Sequence, residues 1–363
     1  MILEKIEVRH FRNIENAVLE PSEILTVISG QNGQGKTNLL ESIWLLSGAK
    51  SFRGAKDAEF IQKGFDIAHI EAEIRHEEKQ SLLQINIGGP EAPKQGRYAK
   101  VNGVDYGRAS SIAGIFYTVC FAPTHLSLIK GAPEGRRRFI DAALCQLYPG
   151  YLDILRRYTR LITQKNALLK DLRKNGSLYE MLEVFNRDIA KYGMEIIKRR
   201  QAYVLEIEAE TVQNYKNISH GTEQIEIAYQ ASAQTSEELL QKICDAQQID
   251  IKAGFCTQGP HRDDLYIGIN DSEAKVYASQ GQQRSAVLSL KMAEAAQIKK
   301  VAGQQPVMLL DDVLSELDSQ RQDYLLNKIE DSQVLVTSCD SDLFVKTKGK
   351  IYVMEKGKLT AQS

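Results

Sequence analysis

Eight consecutive residues, Gly30-Gln31-Asn32-Gly33-Gln34-Gly35-Lys36-Thr37, constrain this chain more than any other stretch. They follow the short apolar run Ile24-Leu25-Thr26-Val27-Ile28. From Asn38 onward, apolar residues recur at helical spacing: Leu39, Leu40, Ile43, Trp44 and Leu46. A brief continuous apolar run suits a strand buried on both faces. The pattern G-x-x-x-x-G-K-T between a strand and a helix is that of a phosphate-binding loop. Its glycines let the backbone curl so that successive N–H groups face phosphate oxygens, and the following helix adds the positive end of its dipole. Lys36 is expected to reach the β- and γ-phosphates, with the Thr37 hydroxyl on Mg²⁺. ATP and Mg²⁺ are therefore the expected cofactors.

A second apolar strand, Val307-Met308-Leu309-Leu310, ends in Asp311-Asp312. In such folds an acid at this place holds the metal, which makes Asp311 the candidate Mg²⁺ ligand and Asp312 the candidate group to polarise the attacking water, the alternative being an Asp pair that caps the next helix. Lys36 and Asp311 stand 275 positions apart, more chain than a mononucleotide fold needs. The surplus is explained by a helical insert. From position 136 to about 216 the sequence reads almost wholly as helix, with one apolar stripe from Leu152 to Leu172, a break at Asn175-Gly176-Ser177 and a second stripe from Met181 to Ile196. Two antiparallel helices are expected. The organisation is an α/β fold of two lobes, 1–125 and 223–363, separated by an arm at 126–222. The last strand expected is Ile351-Tyr352-Val353-Met354.

Between the two phosphate-related motifs lies Ser279-Gln280-Gly281-Gln282-Gln283-Arg284, opening a long helix. A helix begun by Ser and Gly presents bare N–H groups and a positive dipole end. The order phosphate loop, S-Q-G-Q-Q, strand-Asp-Asp, then Ser315-Glu316-Leu317-Asp318, is that of ABC-type ATPases.

Charge is distributed unevenly. The chain carries a net −1, yet positions 126–216 hold 17 Lys/Arg against 11 Asp/Glu, so a basic element is mounted on an acidic body. The five cysteines form no C-x-x-C pair, which argues against a zinc site or a disulfide framework. No apolar run reaches the ~18–20 residues of a membrane span. A cytoplasmic protein without a membrane partner is expected.

Several stretches narrow the resemblance. They are Ile6-Glu7-Val8-Arg9-His10-Phe11-Arg12-Asn13, Lys50-Ser51-Phe52-Arg53, Lys130-Gly131-Ala132-Pro133-Glu134-Gly135-Arg136-Arg137-Arg138, Gly259-Pro260-His261-Arg262-Asp263-Asp264 and Leu310-Asp311-Asp312-Val313-Leu314-Ser315-Glu316-Leu317-Asp318. Together they resemble the RecF family, an SMC-like branch of ABC ATPases, nearly end to end. The resemblance implies an ABC-type ATPase head with a short helical arm. It adds Arg12 and Asn38 to the nucleotide contacts. It implies an ATP-dependent homodimer in which each ATP on one P-loop is completed in trans by Ser279, Gln280, Gly281 and Gln282 of the second chain. It also implies DNA as the partner, at single-strand gaps, gap junctions and duplex, and RecR, with RecO and RecA, in recombinational repair and fork maintenance.

There are departures from the family pattern. Pro123 is followed by Thr124-His125 rather than an acidic pair, residues 336–340 contain no switch histidine, and Asp312 stands where Glu is usual. The last two features suggest slow hydrolysis, and the resemblance implies a weak, DNA-stimulated ATPase. The DNA candidates are Lys50, Arg53, Arg136, Arg137 and Arg138, followed by Arg156, Arg157, Arg160, Arg173, Lys174, Lys198, Arg199 and Arg200. Phosphate contacts require only positive charge at suitable spacing. A nuclease-linked ATPase and a transporter ATPase subunit are the alternatives. The first lacks a nuclease domain or long arm here, and the second lacks its histidine.

Overall fold

The computed structural model describes residues 1–172, 179–339 and 349–362. Its strands are β1 (Ile2–Phe11), β2 (Ile14–Leu19), β3 (Leu25–Ser29), β4 (Ile67–His76), β5 (Lys79–Gly88), β6 (Gly96–Val101), β7 (Val104–Arg108), β8 (Thr118–Phe121), β9 (Ile225–Gln230), β10 (Asp264–Ile269), β11 (Ser272–Glu273), β12 (Val307–Asp311), β13 (Val334–Ser338), β14 (Lys350–Glu355) and β15 (Lys358–Gln362). Its α-helices are α1 (Lys36–Leu45), α2 (Ser127–Lys130), α3 (Pro133–Leu147), α4 (Tyr151–Leu172), α5 (Tyr179–Ile218), α6 (Ser236–Asp245), α7 (Gln247–Ala253), α8 (Ala274–Tyr277), α9 (Gln280–Ala302) and α10 (Ser319–Lys328).

The central sheet runs β15-β14-β3-β13-β12-β8, parallel from β14 to β8, with β15 antiparallel at one edge. Both of its faces are covered. Val307, Leu309, Ile28, Cys120 and Leu335 face α1 and the six-stranded antiparallel sheet β2-β1-β4-β5-β6-β7. Met308, Leu310, Val27, Phe121 and Val336 face α3, α5 and α9. This double burial is the reason the strand sequences are continuous apolar runs rather than alternating ones. The outer sheet is covered on one face only. In β4, for example, Ala68, Ile70, Ala72 and Ile74 are buried while the residues between them point outward.

Segments 1–125 and 223–363 alternate within the central sheet. β3 lies between β13 and β14, and β8 completes the edge beside β12. The nucleotide loop and the Asp-Asp motif therefore sit at the ends of strands in one sheet, where ligands of open α/β sheets bind. The helical segment is also less of a free arm than its sequence suggests. The second half of α5 (Tyr203, Val204, Ile207, Tyr215, Ile218) is buried in the same core as α9. Only the far end, where Leu168, Leu169 and Leu172 meet Leu182, forms a separate small cluster. Met181, read as part of the buried stripe, is 51% exposed, and Leu182 takes the inward position.

The chain does not end at β14. A Lys356-Gly357 turn, with both residues at positive φ, leads into β15. Such a turn matches the twist of a two-residue hairpin.

Candidate functional site: the nucleotide loop and the helix opening at Ser279

Gly30 has φ 144°, and a Cβ there would lie 2.4 Å from the Met354 carbonyl oxygen. Gly35 has φ 119°, with the side chain of Asn13 3.0 Å from where a Cβ would stand. These two glycines are thus required by backbone conformation and by close approach. Gln31, Asn32 and Gly33 form the exposed rim of the loop.

The Lys36 ammonium donates to the carbonyls of Gly30 at 2.6 Å and Gln31 at 3.3 Å, and lies 3.3 Å from Cys339 Sγ. Thr37 Oγ1 donates to Asp311 Oδ1 at 2.7 Å, and Thr337 Oγ1 donates to the same oxygen at 3.0 Å. Burial raises the Asp311 carboxyl above its usual range, while the two hydroxyl donors pull it back. Mg²⁺ is a hard cation that takes oxygen ligands. A hydroxyl and a carboxylate side by side at the mouth of a phosphate loop are donors of that kind, so Thr37 and Asp311 fit the ion.

Asp312 adopts φ 49°, an uncommon left-handed conformation that Asp tolerates better than most residues. Its N–H donates to Thr337 Oγ1 at 2.9 Å. Its Oδ1 is buried and makes no hydrogen bond among the described residues. The strained turn separates the two carboxylates. Asp311 is bound to the loop helix, whereas Asp312 keeps an acceptor unspent, which suits a group that orients water.

The loop is braced from two sides that sequence reading missed. Asn13, in the β1–β2 turn, accepts from Asn38 Nδ2 at 2.7 Å and donates to the Gly33 carbonyl at 3.3 Å. The β14–β15 turn holds Gln34: Gly357 N–H donates to its carbonyl at 2.9 Å and Lys356 N–H to its Oε1 at 2.6 Å. Behind α1, the fully buried Glu41 accepts from Arg12 at 2.9 Å, from Arg53 and from Ser51. Arg12 also lies over the Phe60 ring. Burial lowers the Arg12 pKa, with Glu41 opposing. Arg53 further donates to Asn38 Oδ1 at 2.7 Å. Arg12 therefore stands beside the loop helix, and Arg53, read as a DNA contact, is drawn to the same place. A lone buried acid inside a helix stretch gave no local sign of this arrangement.

Ser279 is the N-cap of α9. Its Oγ accepts from Gln282 N–H at 3.2 Å, and Gln282 Oε1 accepts from Ser279 N–H at 2.8 Å. Gln282 Nε2 donates to Glu223 at 2.8 Å. Ser279 and Gln280 are exposed, with Gly281 half-buried behind them. Among the described residues, no hydrogen bond joins positions 279–282 to positions 30–37.

The basic residues divide by environment. Arg136 is a correction: its side chain is 4% exposed, it pairs with Asp264 through Nε and Nη2 at 2.6 and 2.7 Å, and its Nη1 donates to the Leu128 and Gly131 carbonyls. It clips α3 to β10 and is not available to a nucleic acid. Arg200, equally buried, pairs with Asp141 at 2.9 Å and donates to the Pro260 carbonyl. Arg137 is half-buried and donates to the Asp263 carbonyl at 2.7 Å. Lys50, Arg138, Arg160 and Lys198 are exposed, and Arg138 pairs only with the exposed Glu134. Arg156 bonds Ser110, Arg157 donates to Tyr192 at 3.1 Å and Arg199 lies over Tyr148. Arg173 and Lys174 lie outside the described residues. His125 is built into its own turn, with Nδ1 accepting from Ala122 N–H at 3.1 Å. Among the described residues, no helix is long and apolar enough to cross a membrane.

Comparison with known proteins shows the family and the fold. The family described as the RecF/RecN/SMC N terminal domain matches residues 2–361. A DNA replication and repair protein RecF of Lachnoclostridium phytofermentans is 38% identical over 360 residues, 98% of this chain and 99% of its own. The structure of the recombination mediator protein RecF with ATPrS, in the RecFOR pathway, superimposes with a TM-score of 0.91 at 32% identity, covering 100% of this chain and 98% of that one. The Smc head domain of Pyrococcus furiosus shares the fold, with a TM-score of 0.56 at 17% identity over 99% of this chain and 96% of that one.

Proposed function

This chain belongs to the RecF/RecN/SMC family, and on that premise we propose that it is a two-chain ATP switch that grips DNA. It is a DNA replication and repair ATPase of the RecFOR pathway, with the fold of an ABC-type P-loop ATPase head. In the proposed cycle, residues 30–37 of one chain bind ATP. Lys36 turns from the Gly30 and Gln31 carbonyls to the β- and γ-phosphates. Thr37 and Asp311 would hold Mg²⁺, which when bound neutralises phosphate charge and fixes the phosphate geometry. The buried, unspent Oδ1 of Asp312 orients the attacking water.

Ser279, Gln280, Gly281 and Gln282 of the second chain complete the site. The observation that carries this reading is their placement. They form an exposed, capped helix start with no hydrogen bond to the chain's own loop, while Thr37 and Asp311 are already joined. A γ-phosphate held by both chains ties dimerisation to ATP, and hydrolysis releases it. The turnover is weak and DNA-stimulated, consistent with an Asp rather than a Glu at position 312. DNA is gripped at single-strand gaps, gap junctions and duplex, with the exposed Lys50, Arg138, Arg160 and Lys198 as candidate contacts. RecR, with RecO and RecA, are the partners in the pathway. The five cysteines are all free, which fits a reducing cytoplasm. Sedimentation with and without ATP and gapped DNA tests the reading: a dimer that forms only with ATP, and that retains gapped DNA only then, is expected.

A further inference from the structure

Arg321 belongs to no motif singled out in the sequence, yet it stands where the second half of the nucleotide site is expected. It lies in the first turn of α10, whose N-cap is Asp318. Asp318 accepts from the Arg321 N–H at 3.0 Å and pairs with its Nη1. Arg321 Nε donates to Ser285 Oγ at 2.9 Å, which reaches across to α9. The third guanidinium nitrogen, Nη2, lies 3.6 Å from where a Cβ on Gly281 would stand. Ser279 Oγ lies 4.0 Å from the same point. A guanidinium, the Ser279 hydroxyl and the first turn of α9 thus converge on one small volume in front of Gly281.

The guanidinium is held in a way that permits a change of partner. Its side chain is 26% exposed and that of Asp318 49%, so the ion pair is screened by solvent. A terminal phosphate carries more charge than a carboxylate and takes a guanidinium through two parallel N–H bonds. The Ser285 bond to Nε leaves both Nη atoms positioned for such an exchange. The arginines on the other half of the site, Arg12 and Arg53, are both drawn to Glu41.

We propose that Arg321 is a catalytic residue acting in trans: when the partner chain's ATP docks against Ser279 and Gly281, the Arg321 guanidinium leaves Asp318 and contacts the γ-phosphate, where it stabilises the charge of the transition state. The inference rests on the two-chain reading given above.

The test uses the full-length variants Arg321→Ala and Arg321→Lys, with Lys36→Met and Ser279→Arg as references. Arg321→Ala is expected to bind ATP as the wild type does and to keep its unfolding midpoint, while turnover falls about 10³-fold, as for other arginines supplied in trans. Mixing it with Lys36→Met restores turnover, because one mixed site joins an intact P-loop to an intact Arg321. Millimolar guanidinium ion restores part of the Arg321→Ala rate and none of the Ser279→Arg rate, a response that a merely structural role would not produce. Arg321→Lys retains charge without the fork and lies between the two. Wild-type turnover by Arg321→Ala, no rescue on mixing, or no response to guanidinium would overturn the assignment of Arg321. Ser279→Arg that still dimerises on ATP would instead overturn the two-chain reading beneath it.

Discussion

Thr37 Oγ1 donates to Asp311 Oδ1 at 2.7 Å across 274 positions of sequence. That one bond joins the start of α1 to the end of β12 and brings both expected metal ligands together. Asp312, at φ 49°, is the next residue out, so the two carboxylates stand in different surroundings.

Lys36→Met should abolish nucleotide binding. The ammonium is the cation nearest the loop carbonyls, and its loss leaves the β- and γ-phosphates without their main charge partner. A nucleotide titration monitored by fluorescence checks this; wild-type affinity would contradict the loop assignment.

Asp312→Asn keeps the shape and removes the carboxylate. ATP binding should persist, turnover should stop and the ATP-bound dimer should accumulate. Loss of binding instead would move Asp312 to the metal.

Gly357→Ala tests the brace on the loop. Gly357 has φ 77°, and a Cβ would stand 2.0 Å from the Asn13 carbonyl oxygen. The left-handed strain alone is worth about 1–3 kcal/mol, and the clash pushes the hairpin off Gln34. ATP affinity should fall although Gly357 is far along the chain from the phosphate motif. The same titration reads it, with Gly103→Ala as a control that carries the same left-handed strain, at φ 80°, but no clash, since a Cβ there meets nothing within 4 Å.

Arg136→Ala and Arg138→Ala should part company. The first leaves Asp264 without its partner inside the α3–β10 junction and should cost about 3–5 kcal/mol in urea unfolding. The second should leave stability within about 0.5 kcal/mol and lower the slope of log affinity for DNA against log salt by ~0.7–0.9. An unchanged slope would remove Arg138 from the DNA surface.

His261 supplies a pH dependence of stability. Its Nδ1 lies 2.6 Å from Tyr158 OH and its Nε2 2.9 Å from the Cys256 carbonyl, an arrangement for the neutral ring. Burial pushes its pKa down to about 4. The unfolded chain binds the proton near pH 6.5, so the contribution is fully present above that pH. It is lost as pH falls through 6.5 toward 4, by up to about 3 kcal/mol. Unfolding midpoints measured across this window should flatten in His261→Gln.

Much of the nucleotide half-site was legible in the sequence, because backbone-determined features leave local marks. Glycines at 30 and 35, a strand before them and a helix after them specify a loop without reference to the rest of the chain. Asp311 was legible for the same reason, at the end of a run buried on both faces. What was not legible depends on partners far away in sequence. Arg136 reads as one of three surface arginines until Asp264, 128 positions on, is seen beside it. Glu41 reads as a helix-surface acid until Arg12 and Arg53 close over it. β15 has only one large apolar side chain, Leu359, so nothing in its pattern distinguished a strand from a tail.

Sedimentation velocity of the wild type and Ser279→Arg, each with and without ATP, tests the central claim most directly. Each protein should be a monomer without nucleotide. With ATP the wild type should shift to a dimer, while Ser279→Arg, its own P-loop intact, should bind the nucleotide and remain a monomer. A Ser279→Arg protein that dimerises on ATP and hydrolyses it at the wild-type rate would contradict the two-chain mechanism.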